Sequence, residues 1–132
     1  MATQAKLPGT LPTPAQARLN LRFARAEVAE KSKVVEGMED RADVASEEVT
    51  AAEIDVEEAE GDLLGAEEGS QEDVAASARH SKALQRLARA TVDLQRVKGT
   101  LRLARSDLKG AEKHLNAARE DIQAIRQGRR RS

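Results

Sequence analysis

The chain has 132 residues, of which 34% are charged and 1% aromatic, and it contains no cysteine. A single phenylalanine, with no tryptophan or tyrosine, excludes a globular core of the ordinary kind, and the absence of cysteine removes disulfides and Cys clusters. The net charge of −1 hides a division: residues 1–69 hold 7 Lys and Arg against 16 Asp and Glu, whereas residues 70–132 hold 15 against 7. Each half suits the other better than a copy of itself.

Residues 1–12 read as an extended arm. Leu7-Pro8 and Leu11-Pro12 bias it away from helix. The chain has no stretch of 18 apolar residues, so no membrane span is predicted, and the N-terminus lacks the apolar segment of a secretory signal.

A first, acidic helix is predicted over residues 13–68. Thr13 is its N-cap, Pro14 its first residue, and Gln16 the partner that completes a capping box. Its apolar residues keep a seven-residue repeat: Leu21, Val28, Val35, Ala42, Val49, Val56 and Leu63 at position a. Alanines dominate position d, where Lys31 and Met38 are the exceptions. Gly69-Ser70 is the predicted turn, with Gly69 in a left-handed conformation and Ser70 capping the next helix beside Asp73.

A second, basic helix is predicted over residues 71–127, followed by a basic tail at 128–132. From Leu87 to Ile125 it keeps the same repeat, with Leu87, Leu94, Leu101, Leu108, Leu115 and Ile122 at a. Alanines again fill d, Val97 and Ile125 excepted. Folding the chain at the turn sets residues whose numbers sum to about 139 opposite one another, which puts every a opposite a d. Ala42, the one alanine at a in the first helix, then meets Val97. The expected fold is all-α, a long antiparallel two-helix coiled-coil hairpin with an alanine-rich seam. One such seam buries little apolar surface against the cost of ordering a chain this long, so packing into a larger bundle or assembly is expected.

Function has to reside outside the seam. The open end of such a hairpin collects arginines, and the expected partner-binding residues are Leu7, Leu11, Arg18, Arg22, Phe23, Arg25, Arg126, Arg129, Arg130 and Arg131. Phe23 falls at heptad position c, off the seam, where it could anchor the arm or a neighbouring subunit. The turn end collects the acidic residues. Arginines near the start of the first helix oppose its macrodipole and favour a recruited anionic partner. No groove-reading motif, aromatic stacking platform or zinc spacing accompanies them, so nucleic acid is the less favoured partner. His80 and His114 belong to no metal-ligand motif and no glycine loop cradles phosphate, so neither catalysis, cofactor, metal nor small-molecule substrate is expected.

The resulting expectation is a non-enzymatic structural or assembly protein with protein partners, through self-association or a larger assembly, docked through its basic end and arm into a multi-copy complex, such as a phage virion or scaffold. It would reside in the cytoplasm or in a virion assembled there. The alternatives are a nucleic-acid-associated protein using the arginine-rich end, and a helical adaptor or regulator of another protein.

Overall fold

Two helices make up the fold in a computed structural model that describes residues 11–131, and side chains as far as Gly128. They are α1 (Pro14–Gly65) and α2 (Gln71–Arg131). No strand occurs among the described residues.

The start of α1 follows from its capping chemistry. The Gln16 N–H donates to Thr13 Oγ1 at 3.2 Å, and the Ala17 N–H donates to the Thr13 carbonyl at 2.8 Å. Pro14 sits where a missing N–H costs nothing. The predicted capping box is only half made. The Gln16 side chain turns forward and donates to Asn20 Oδ1 at 3.0 Å instead of reaching back to the Thr13 amide.

The connection is longer than the predicted two-residue turn. α1 ends at Gly65 rather than at residue 68, and residues 66–70 join it to α2. The Glu67 carbonyl explains the extra length. It accepts from the Ser70 N–H at 3.1 Å and from the Ser70 hydroxyl at 2.6 Å, so residues 67–70 close a turn of their own. Gly69 occupies that turn with φ +80°, a conformation a side chain resists. Ser70 caps α2, its Oγ accepting the Asp73 N–H at 3.1 Å. Glu72 and Asp73 then put negative charge in the first turn of α2, where the helix dipole favours it.

At its far end α2 does not stop at Gly128 but continues to Arg131. A glycine closes a helix by turning left-handed. Gly69 is the only described residue with positive φ, so Gly128 stays helical, and the arginines after it are good helix formers.

The described residues form two units. The first takes α1 up to Val35 together with α2 from Ala104. Ala24, Leu115 and Ala118 are buried together there, with Leu21 and Val28 packed against them. His114 Nδ1 lies 3.2 Å from Glu27 Oε1 across the helix pair. The second unit is Glu36–Leu103. Val56, Ala59 and Ala83 are buried together in it, with Leu87 against them. Asp55 pairs with Arg86, and Asp62 with Arg79 at 3.5 Å, so the helix segments of this unit run antiparallel.

Fourteen apolar residues are buried, ten of them alanines, and no polar residue is buried among the described ones. All fourteen occupy position a or d of the repeat. The larger seam residues Leu21, Leu94, Leu108, Ile122 and Ile125 are only half-buried, because two helices alone enclose an alanine fully but leave the tip of a leucine in water. Val34, Val44, Ile54 and Leu64, spaced by ten, are all exposed.

Candidate partner-binding site

In the first unit, Leu21 and Arg25 of α1 and Arg119, Ile122, Gln123, Arg126 and Gln127 of α2 line an open cleft of about 440 Å³. Helical spacing explains the set. Residues 119, 122, 123, 126 and 127 follow the i, i+3, i+4, i+7, i+8 pattern that places side chains on one face, and Leu21 and Arg25 stand one turn apart. The cleft opens beside the seam. Ala17, Ala24 and Ala118 are buried, while Leu21 and Ile122 lie half-exposed as its apolar floor.

Three guanidinium groups, those of Arg25, Arg119 and Arg126, rim this floor. None of the three has a carboxylate partner among the described residues. Glu120 and Asp121 follow Arg119 in sequence but do not line the cleft. Each guanidinium offers a planar fork of donors suited to a carboxylate or a phosphate. Gathering them without countercharge creates a local positive potential that an anionic ligand relieves. The side chains of Gln123 and Gln127 add neutral donors and acceptors.

The expected site residues divide on inspection. Arg25 and Arg126 belong to the cleft. Arg18 and Arg22 are exposed but do not line it. Phe23 is 63% exposed and Leu11 46%. Leu7 and the side chains of Arg129, Arg130 and Arg131 lie outside the described residues. Leu21, Arg119, Ile122, Gln123 and Gln127 complete the cleft and were not among the expected set. The signal that could have found them is the helical stripe from Arg119 to Gln127 at the end of a seam whose opposite rungs are alanine.

A second groove, of about 560 Å³, lies in the other unit over Val44, Ala45, Ala90 and Val97. Its rim mixes Asp40, Glu48 and Asp93 with Arg41 and Arg96 and so selects for no one sign of charge. Among the described residues, no group of three or more His, Asp or Glu side chains could hold a metal ion, and no helix is long and apolar enough to cross a membrane. Comparison with protein-family models, curated proteins and solved structures finds no match to this chain.

Proposed function

We propose that this chain is a non-enzymatic assembly protein, an antiparallel coiled-coil hairpin that docks onto an acidic protein surface through its basic end. The observation that carries this reading is the cleft itself: three guanidiniums without countercharge around a floor of Leu21 and Ile122. A mixed apolar and cationic cleft favours a protein surface, which offers carboxylates beside aliphatic side chains, over the uniformly charged backbone of a nucleic acid. In this reading Phe23, exposed in the same unit, and the N-terminal arm extend the contact.

Fluorescence anisotropy on the full chain tests it, with labelled poly-L-glutamate and an arbitrary DNA duplex as the two probes. The expected result is salt-sensitive binding of poly-L-glutamate that is lost in the Arg25→Glu/Arg119→Glu/Arg126→Glu variant. Preferential binding of the duplex, lost in the same variant, would replace this reading with a nucleic-acid one.

A further inference from the structure

We infer that the occupant of the basic cleft is the acidic turn of a second copy of the same chain. The inference rests on the docking role just proposed and names its partner.

The first argument is the division of charge between the two units. Residues 1–35 and 104–132 hold 14 Lys and Arg against 6 Asp and Glu, net +8, whereas residues 36–103 hold 8 against 17, net −9. Neither surplus can be neutralised inside its own unit. The ion pairs that form, such as Asp55 with Arg86 and Asp62 with Arg79, leave the excess standing. Between Glu57 and Ala78 the chain has no Lys or Arg, and before Glu27 it has no Asp or Glu. A second copy supplies the missing sign to each.

The second argument is the match in kind of surface. Near the turn, Leu64 is 87% exposed and Val74 68%, and burying each would be worth roughly 1.5–3 kcal/mol. Glu67, Glu68 and Glu72 lie close by in sequence, all exposed and without a cationic partner among the described residues. The cleft offers the converse: an apolar floor of Leu21 and Ile122 beneath three guanidiniums. Apolar residues meet apolar residues while carboxylates meet guanidiniums, so desolvation of the charges is offset by pairing. Such a contact joins two different surfaces, so it either closes reciprocally as a two-fold dimer or propagates into rings or filaments.

Sedimentation velocity on the full chain tests the inference, using two charge reversals. One is Arg25→Glu/Arg119→Glu/Arg126→Glu in the cleft. The other is Glu67→Lys/Glu68→Lys, which lies between the helices and leaves the first turn of α2 untouched. The wild type is expected to associate with rising concentration at low salt and to dissociate near 1 M salt, where charges beyond about 3 Å are screened. Each variant alone should associate at least about tenfold more weakly, a loss of about 1.4 kcal/mol. An equimolar mixture of the two should associate again, because each cleft then finds a turn of opposite sign.

A wild type that stays monomeric at low salt overturns the inference, as does a mixture no better than its components. Poly-L-glutamate binding separates the two levels: if it persists while self-association is absent, the partner is wrong and the docking role stands. If it is absent as well, both fall.

Discussion

The Asp73 carboxylate reaches back past the start of its own helix and accepts the Gly69 N–H at 2.9 Å. Through the Ser70 hydroxyl, the same residue's N–H is held from the other side. Two residues thus fasten the beginning of α2 to a glycine that must stay left-handed.

The turn should therefore be sensitive at three positions. Ser70→Ala and Asp73→Ala should each cost about 0.5–2 kcal/mol, the range for lost N-cap interactions. Gly69→Ala should cost about 1–2 kcal/mol, because a Cβ at φ +80° meets the backbone whatever the surrounding space. Urea denaturation followed by circular dichroism measures all three. A Gly69→Ala chain as stable as the wild type would show that the turn has refolded into another type.

His80 offers a change in the opposite direction. Its Nε2 is buried without a hydrogen bond, although Glu60 Oε1 lies 3.5 Å away, close enough for attraction but not for a made bond. The residue falls at position a, where leucine or valine belongs. His80→Leu should stabilise the chain by about 1–3 kcal/mol at neutral pH, since it removes an unsatisfied buried group and adds apolar surface to the seam. A lower denaturation midpoint would mean that the contact with Glu60 is worth more than the cost of burying the ring.

Four glycines inside the helices have room for a methyl group. At Gly37, Gly61, Gly99 and Gly110 a Cβ would meet nothing within 4 Å. Each Gly→Ala change should add about 0.5–1 kcal/mol through the reduced freedom of the unfolded chain. The four are spread along the sequence and should add nearly independently, which differential scanning calorimetry would register as a stepwise rise in Tm.

Enlarging the seam should do the reverse. Ala52 and Ala111 are completely buried, one in each unit, so leucine at either position has no space without forcing the helices apart. A cost of about 1–3 kcal/mol is expected for each, against almost none for Val34→Ala on an exposed position. Comparing the three midpoints separates seam packing from general loss of apolar surface.

The seam was legible because a seven-residue repeat is a property of sequence alone. Every buried residue falls at a or d, and Ala24 with Leu115, or Val56 with Ala83, cluster in the register that places numbers summing to 139 together. The helix ends were less legible. A carbonyl with two donors, as at Glu67, costs α1 its last turn, and Gly128 stays helical where a glycine near a helix end commonly turns left-handed. The cleft was least legible of all. It is formed jointly by side chains of α1 and α2, so Arg119 and Ile122 belong to it while Arg18, equally basic, does not. Charge composition pointed to the basic helix ends without selecting among their residues.

The opposed charges of the two units bear on how the protein would behave on a column. An isoelectric point near 6.2 describes neither surface, only their average. Near neutral pH the molecule should scarcely migrate in an electric field, yet be retained by both cation- and anion-exchange resins, each gripping a different part of it. Its solubility should rise on adding salt, the reverse of a chain whose charges all repel.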